Sequence, residues 1–510
     1  MDIPVESGGV LIAIGVVVLS LLFYLGFARG TKVGAVPTLT DSQFDPEEYA
    51  ARNHFYLNEL HELYGRTFFA RPTPGDSVPV LFTCEPRLVA KVLKGGNKSN
   101  FEPARCPATV FNESTAHGFA TRSSFDLVQP MSRGTVFDLT GESWKTQRKC
   151  LAGIFAVTDA GTKQFTTAAG DILDKWFTQA SWETVDTQVL SYVLCVQGTM
   201  ISLFGPELRL SDQQCTQVKS ALAVFGRRFT EAGACESIGA ADHDSYAETI
   251  NNVCTEAVDW GMANLQDCDP KGGFRKLLVA GVEKAGLVAT VANFVVAAAE
   301  SPASALSHTL GRLAALPESE RADVVGKVRS ELQGALAGVG DGGEELDKSA
   351  AAKLVLADAL VNEGMRHRAP ATLVCREAVE DTMALAGSDD KQQNQLSIKQ
   401  GTSVRVCLHS LHSDTTTWER PNDFDPARFQ DGGSGVQAKD KSFMPFSRGS
   451  RGCPGGPLSM MWMKISLALI IERLELRPSA NSATQGIRVK KFVSWIGVGG
   501  IPVDFRVRTT

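Results

Sequence analysis

The stretch FMPFSRGSRGCPGG, residues 443–456, places one cysteine among glycines and two arginines, just ahead of a long apolar segment. We call these residues the cysteine loop. Glycines let a backbone turn sharply and approach a flat molecule closely. A helix predicted from about residue 457 directs its positive N-terminal end at Cys453, and we expect this to lower the pKa of the thiol. Arg451 is a fixed cation suited to bind a carboxylate. A thiolate, a close-approach loop and a carboxylate binder together indicate a haem held by cysteine.

The cysteine loop resembles the haem-binding signature FxxGxRxCxG of the cytochrome P-450 family at every position. The matching residues are Phe446, Gly449, Arg451, Cys453 and Gly455. The resemblance implies that Cys453 is the axial ligand of the iron of haem b and that the other four residues surround the cofactor. A structural cysteine at a helix cap is the alternative interpretation.

A second motif, Glu363-Gly-Met-Arg366, has i, i+3 spacing, so the two side chains share one face of a predicted helix. It resembles the ExxR helix of the family, and residues 418–429 resemble its WxxPxxFxPxRF stretch. The resemblance implies that Arg428 completes a buried Glu-Arg-Arg network with this pair. These three residues are expected to support the cysteine loop and to take no part in chemistry.

Trp144 and Arg148 have i, i+4 spacing and point the same way from one predicted helix. They resemble the WxxxR helix of the family, whose arginine binds a haem propionate. By the same resemblance Arg376 is expected to be another propionate partner. Taken alone, a Trp four residues from an Arg more often indicates a surface packing pair.

Residues 297–301, AAAES, resemble the oxygen-groove motif of the family's longest central helix. The resemblance implies that Glu300 and Ser301 relay protons to dioxygen in a dry pocket. Ala298 stands where glycine is usual, and we expect it to narrow the helix distortion at this point. Pro302 removes one helical amide and favours a local break there. An alanine-rich core helix is the alternative.

Residues 7–28 form an uncharged apolar segment. As a helix it would rise about 33 Å at about 1.5 Å per residue, enough to cross a bilayer. Asp2 and Glu6 precede it, whereas Arg29 and Lys32 follow it. By the positive-inside rule the N-terminus is luminal and the bulk of the chain cytosolic. We predict a luminal tail (1–6), a single-pass transmembrane anchor (7–28), a linker (29–44) and one large catalytic domain (45–510).

The chain has 510 residues, 43% of them hydrophobic and 21% charged, which is typical of a globular protein with a large core. A net charge of −6 argues against nucleic-acid binding, and eleven cysteines without CxxC spacing argue against a disulfide framework or a zinc site. Short β-rich runs lie mainly in the second half, and residues 95–140 are predicted to be loop. Helical patterns dominate, at about 159–205, 211–230, 240–266, 284–316, 318–336, 350–367 and 456–475. We predict a mainly α fold with small β-sheets (α+β), which the resemblance identifies as the cytochrome P-450 fold.

The resemblance implies a microsomal-type haem-thiolate monooxygenase, which places one atom of O2 in an organic substrate. No GxGxxG follows a predicted strand, so electrons must come from a partner. The family's usual partner is an NADPH-dependent reductase at the endoplasmic reticulum membrane, with cytochrome b5 as a further candidate. The basic residues near the cysteine loop are equally consistent with a docking patch for an acidic partner and with ordinary solvated cations. These residues are Lys145, Lys149, Lys439, Lys441 and Arg448.

Apolar residues at the expected pocket positions favour a lipophilic substrate such as a fatty acid, a sterol or a terpenoid. These residues are Phe111, Phe119, Phe125, Phe294, Ala297, Leu373 and Val374. One alternative function is a haem-thiolate isomerase or dehydratase that rearranges a lipid peroxide without O2 or reductase. Another is a non-catalytic haem or lipid carrier on the membrane.

Overall fold

The structure is a computed structural model. It describes residues 36–40, 42–71, 79–94, 101–103, 141–152, 154–211, 213–221, 240–337, 345–386, 394–433, 435–436, 441–480, 489–491, 495–497 and 500–509. The luminal tail and anchor predicted for residues 1–28 lie outside the described residues. So do Lys439 and three predicted pocket residues, Phe111, Phe119 and Phe125.

Most of the described chain is helical. Its helices are α1 (Pro46–Tyr64), α2 (Pro86–Leu93), α3 (Gly141–Ala152), α4 (Asp159–Trp176), α5 (Thr187–Phe204), α6 (Ala240–Ala263), α7 (Gly273–Val279), α8 (Lys284–Phe294), α9 (Glu300–Ala314), α10 (Glu318–Leu336), α11 (Lys348–Ala352), α12 (Val355–His367), α13 (Leu408–Ser413) and α14 (Gly456–Arg473). Residues 213–221 are helical as well. The mainly α expectation is therefore confirmed.

The strands are short. They are β1 (Thr67–Ala70), β2 (Val80–Thr83), β3 (Phe101–Pro103), β4 (Glu183–Asp186), β5 (Leu373–Ala378), β6 (Thr382–Ala386), β7 (Asn394–Ile398), β8 (Ser403–Cys407), β9 (Leu474–Pro478), β10 (Val489–Lys491), β11 (Trp495–Gly497) and β12 (Pro502–Val507). One sheet has the order β1-β2-β8-β5-β3, and another has the order β4-β12-β9. The pairs β6-β7 and β10-β11 form two-stranded sheets. Only β2 and β8 pair in parallel among the described strands.

Two expectations about local structure were wrong. The helical pattern at 159–205 is divided into α4 and α5 by β4, which pairs with β12 in register Val185↔Val503. The stretch 95–140, expected to be loop, includes β3, which pairs with β5. Both strands are fixed by partners far away in sequence, so the local pattern did not reveal them.

The core is built around one long helical segment. Helix α8, a π-helical turn (Val295–Ala299) and α9 follow each other without interruption over Lys284–Ala314, which we call the central helix. It packs against α5, α12 and α14. Because α14 begins where the cysteine loop ends, this packing brings the loop close to the middle of the central helix.

By length and composition, two helices of the described chain could span a membrane, Thr187–Phe204 and Lys284–Ala314. Much of each helix lies inside the protein, because 83% and 56%, respectively, of an apolar 18-residue stretch of the helix is buried. Both are accounted for as core helices.

Candidate functional site

A cavity of about 560 Å³ lies between the cysteine loop and the central helix. Its lining combines the sulfur-bearing Cys453, residues of the central helix, and the chain from Pro370 to Arg376. Three arginines line it and no aspartate or glutamate does, among the residues that the structure describes. The cavity is therefore suited to a largely apolar ligand that carries negative charge.

The cysteine loop has one position at which only glycine fits. Gly449 has a φ of 75°, and a Cβ added there would lie 1.9 Å from the carbonyl oxygen of Leu93. The loop closes on itself because the N–H of Cys453 donates to the carbonyl oxygen of Phe446 at 2.9 Å. At Gly455 an added Cβ would lie 3.5 Å from the Phe155 ring and 3.9 Å from the sulfur of Cys453, both ordinary distances. Within the protein itself, glycine is therefore required chiefly at Gly449, whereas the expected close approach to a flat ligand stays a prediction.

The predicted effect on the thiol of Cys453 was only partly right. The backbone amides of Gly455 and Gly456 and the charge of Arg148 do favour the thiolate, as expected at a helix start. Desolvation by the surrounding groups nevertheless outweighs them and raises the pKa of Cys453 above its ordinary value, although the side chain is exposed at the cavity. The sulfur faces the cavity, so a cation bound there would supply the stabilisation of the thiolate that the protein lacks.

The predicted propionate partners lie together at the cavity. Trp144 and Arg148 both lie on α3, and Arg148 donates to the carbonyl oxygen of Gly452 at 2.7 Å. The guanidinium of Arg451 stacks on the Trp144 ring, 3.9 Å from its centroid. Arg376, on β5, is buried and donates to the carbonyl oxygen of Cys375 at 2.9 Å. All four side chains line the cavity.

Glu363, Arg366 and Arg428 lie together outside the cavity. Arg366 donates two hydrogen bonds of 2.8 Å to Glu363, and Arg428 Nε lies 3.5 Å from Glu363 Oε1. None of the three is more than 5% exposed. Arg428 lies on a 3₁₀ turn, Pro426–Phe429, that contacts α12. This geometry is that of a buried structural network, in keeping with the support role expected of it.

The central helix is distorted at the cavity although Ala298 replaces the usual glycine. The π turn ends at Ala299, and α9 runs without a break through Pro302. The departure from α-helical geometry that was expected at Pro302 therefore lies just before this residue, in the π turn. A proline ring clashes with the carbonyl group four residues earlier, and the wider π turn relieves this clash. Ser301 and Pro302 line the cavity.

The described residues of the predicted pocket, Phe294, Ala297, Leu373 and Val374, all line the cavity. Phe294 contacts Phe155 edge to face, with the ring centroids 5.2 Å apart. Phe155 was not predicted, and no local signal identifies it. Other lining residues that the sequence did not reveal are Leu151, Ala305, Met365, Cys375, Leu408, Leu458, Trp462 and Met463.

Residues 272–494 match the family model described as Cytochrome P-450. Over these residues, which are less than half of the chain, the protein is similar to the cytochrome P-450 family. The match includes the cysteine loop, the ExxR helix and the central helix, which are the elements that enclose most of the cavity. The match bears out the family resemblance of the motifs that it includes, whereas Trp144 and Arg148 lie outside it.

Relatives and a solved structure agree with this assignment. The chain is 26% identical over 263 residues to an ent-cassadiene C11-alpha-hydroxylase 1 of Oryza sativa subsp. japonica, covering 50% of this chain and 49% of that protein. It is 32% identical over 209 residues to a taurochenodeoxycholic 6 alpha-hydroxylase of Sus scrofa, covering 40% of this chain and 37% of that protein. The match thus spans less than half the length of either relative. The crystal structure of a cytochrome P-450 (CYP102L1) superposes with a TM-score of 0.67 at 18% identity, covering 89% of this chain and 98% of that one, and so shares the fold.

The residues of the cavity fit a haem, the cofactor of this family. A cysteine sulfur faces the cavity, and Arg148, Arg376 and Arg451 provide positive charge for two carboxylates. No acidic side chain lines the described part of the cavity. Phe446 and Trp144 add flat surfaces at its wall.

Proposed function

We propose that this chain is a haem-thiolate monooxygenase that inserts one atom of O2 into a lipophilic substrate. The observation that carries the proposal is that Cys453, the arginines and Ser301 of the central helix share one apolar cavity. A thiolate ligand, propionate partners and a hydroxyl for proton transfer are the groups that such a reaction needs in one place.

The cofactor would be held from two sides. Cys453 would provide the axial sulfur, while Arg148, Arg376, Arg451 and Trp144 would bind the propionates. Bound through a thiolate, haem supplies the electron donation that favours cleavage of the O–O bond. Phe446 and Gly449 keep the cysteine loop in shape, since the carbonyl of Phe446 accepts from Cys453 and only glycine fits at 449.

Protons would reach dioxygen through Glu300 and Ser301. Ser301 lines the cavity and can donate its hydroxyl proton there. Glu300 is the preceding residue on the same helix and can return a proton to the serine. The apolar lining excludes bulk water, so protons must be supplied by fixed groups of this kind.

The substrate would bind above Ser301, against Phe294, Ala297, Leu373 and Val374. Fatty acids, sterols and terpenoids all suit such a surface. Two relatives are named as hydroxylases, which supports insertion of oxygen at carbon.

The electrons would come from NADPH through a membrane-bound reductase, with cytochrome b5 as a further candidate.

The apolar segment 7–28 supports a single-pass anchor in the endoplasmic reticulum membrane, with a luminal tail, a linker and a cytosolic catalytic domain from residue 45. Of the basic residues near the cysteine loop, Lys145 lies on α3 and forms an ion pair with Glu142. A chain that lacks residues 1–28 should leave the membrane fraction of expressing cells. If it stays there in high salt, the anchor is not the main membrane contact.

The deciding experiment is the spectrum of the reduced protein with carbon monoxide. We expect a strongly red-shifted Soret band that disappears in Cys453→Ser. The matched control is Cys375→Ala, which removes another cavity-lining thiol and should leave the band unchanged. Haem uptake with an unchanged band in Cys453→Ser would contradict thiolate ligation. A screen of fatty acids, sterols and terpenoids for spin-state shifts would then identify the substrate class.

Turnover tests distinguish the oxygenase from the isomerase or dehydratase. The oxygenase requires NADPH, reductase and O2, and it incorporates ¹⁸O from labelled dioxygen into the product. Conversion of a lipid hydroperoxide with none of these present would favour the isomerase instead.

A further inference from the structure

Two phenylalanine rings cover the end of the cysteine loop, where the chain enters α14. A Cβ built on Gly455 would lie 3.5 Å from the Phe155 ring, and one built on Gly456 would lie 3.2 Å from the Phe446 ring. Each glycine therefore has one ring packed against it. Phe446 belongs to the cysteine loop itself, whereas Phe155 comes from the turn that follows α3, far earlier in the chain.

The sulfur of Cys453 lies beside the glycine that Phe155 covers. The backbone N–H groups of Gly455 and Gly456 donate to this sulfur. The same Cβ point on Gly455 that lies 3.5 Å from the Phe155 ring lies 3.9 Å from the sulfur. Phe155 is therefore next to the sulfur and to one of its two amide donors. A hydrogen bond from an amide to a charged sulfur is stronger where water does not compete for it.

A second ring fixes the position of Phe155. It meets Phe294 edge to face, with the ring centroids 5.2 Å apart, and Phe294 is only 5% exposed. Phe294 is the last residue of α8, directly before the π turn. Both rings line the cavity. Phe155 thus bridges the central helix and the start of α14, and such ring pairs have a preferred geometry that limits their movement.

We propose that Phe155 is a positioning residue for the thiolate, whose ring keeps water away from the sulfur of Cys453 and from the amide of Gly455. The inference rests on the proposed haem-thiolate function. The ring has no polar group, so it acts at the sulfur by filling space that water would otherwise occupy.

Water beside the sulfur would change the reduction potential of the iron. Reduction adds one electron, and hence one negative charge, to a haem held by a thiolate. Water stabilises such a charge by its polarity and by donating hydrogen bonds to the sulfur, so both effects favour the reduced state. With water excluded, the iron is harder to reduce and the sulfur of Cys453 remains the stronger electron donor.

The first test asks whether Phe155 protects the amides, and it needs no activity. Hydrogen–deuterium exchange of the haem-loaded full chain is read by mass spectrometry on the peptide that contains Gly455 and Gly456. In Phe155→Ala, exchange in this peptide should become about tenfold faster. Unchanged exchange would overturn the proposal.

Phe177→Ala is the matched control. Phe177 comes directly after α4 and meets Phe505 edge to face, with the ring centroids 5.6 Å apart. Neither of these rings lines the described part of the cavity. The control removes a ring from a similar pair, so it should leave exchange at Gly455 and Gly456 unchanged. Equally faster exchange there in both variants would show a general loosening of the fold and would contradict a specific role of Phe155.

The second test measures the reduction potential. Titration with dithionite and a redox dye, followed by the haem spectrum, gives the ratio of reduced to oxidised protein at a fixed potential. This ratio should rise about threefold or more in Phe155→Ala. Phe155→Leu keeps an apolar side chain but covers less of Gly455, so its ratio should lie between those of the wild type and Phe155→Ala. Phe177→Ala should match the wild type, and a wild-type ratio in Phe155→Ala would overturn the proposal.

The two proposals fail in different ways. Absence of the red-shifted carbon monoxide band in the wild type would remove the haem-thiolate function. A normal band together with wild-type exchange and potential in Phe155→Ala would remove only the role of Phe155. Should Phe155→Ala not take up haem, Phe155→Leu decides, because its exchange rate and its reduced fraction must still exceed the wild-type values. Values equal to those of the wild type would contradict the proposal.

Discussion

Arg366 donates two hydrogen bonds of 2.8 Å to Glu363, and neither side chain is exposed to solvent. Arg366 also donates to the carbonyl oxygens of His412 and Pro421, at 3.0 and 2.8 Å. The backbone N–H of Asp425 donates to Glu363 at 2.9 Å. The ion pair thus attaches α12 to the segment 412–425, which leads towards the cysteine loop.

We predict that Glu363→Gln strongly destabilises the fold. The amide keeps the shape of the side chain but leaves the charge of Arg366 buried without its counterion. Breaking one side of a buried pair costs about 3–5 kcal/mol. The measurement is the free energy of unfolding in urea, followed by circular dichroism.

The control is another intrahelical ion pair that lies in solvent. Lys327 and Asp323 are 2.6 Å apart on α10 and are 64% and 59% exposed. Asp323→Asn should therefore cost only about 0.3–0.5 kcal/mol. A loss of similar size in both variants would mean that the Glu363 network does not support the fold.

We predict that Gly449→Ala displaces the cysteine loop. The residue has a φ of 75°, and its added Cβ would meet the carbonyl oxygens of Leu93 and Lys94 at 1.9 and 2.5 Å. Gly432→Ala is the matched control, since Gly432 has a φ of 80° and nothing within 4 Å. The control should show the backbone cost alone, about 1–2 kcal/mol, with normal haem binding. Gly449→Ala should cost more and reduce haem content, and equal losses in the two variants would contradict the steric argument.

The sequence predicted those parts of the site whose residues lie close together in the chain. The spacing of Glu363 and Arg366, or of Trp144 and Arg148, fixes their relative position once a helix forms. The end of α1 is a similar case, because Gly65 directly follows the helix and takes a left-handed turn with a φ of 92°. Local spacing and glycine geometry were enough in these cases.

The sequence did not predict contacts that depend on distant packing. Strand β4 exists because it pairs with β12, about 300 residues further along the chain. Phe155 reaches the cavity only because the turn that follows α3 lies beside the central helix, where the Phe155 ring meets Phe294. The thiol of Cys453 was expected to have a lowered pKa because the helix start can be read from sequence, whereas the desolvation by surrounding groups that outweighs it cannot.

We predict that the fold loses stability as the pH falls below about 6.5. Burial lowers the pKa of His61 to about 4 and those of His367 and His412 to about 3. Above pH 6.5 these histidines are neutral in both states and cost nothing. Below it, the unfolded chain binds protons that the fold does not, so each histidine should remove about 1.4 kcal/mol per pH unit until its folded pKa is reached. Urea unfolding at pH 7.5, 6.5 and 5.5 measures this, and equal stability at 7.5 and 5.5 would contradict it.

We predict that Phe294→Ala enlarges the ligand chamber. Phe294 lines the cavity and is buried against Phe155, so its removal leaves space that a larger ligand can occupy. The affinity for 4-phenylimidazole relative to imidazole, measured by spectral titration, should rise about tenfold or more, since a phenyl ring gains burial there. Phe274→Ala is the control, because Phe274 is equally buried but packs on Phe204 away from the cavity. Both changes should cost about 3–5 kcal/mol of stability, but only the first should alter the affinity ratio. An equal ratio in both variants would show that Phe294 does not limit the size of the ligand.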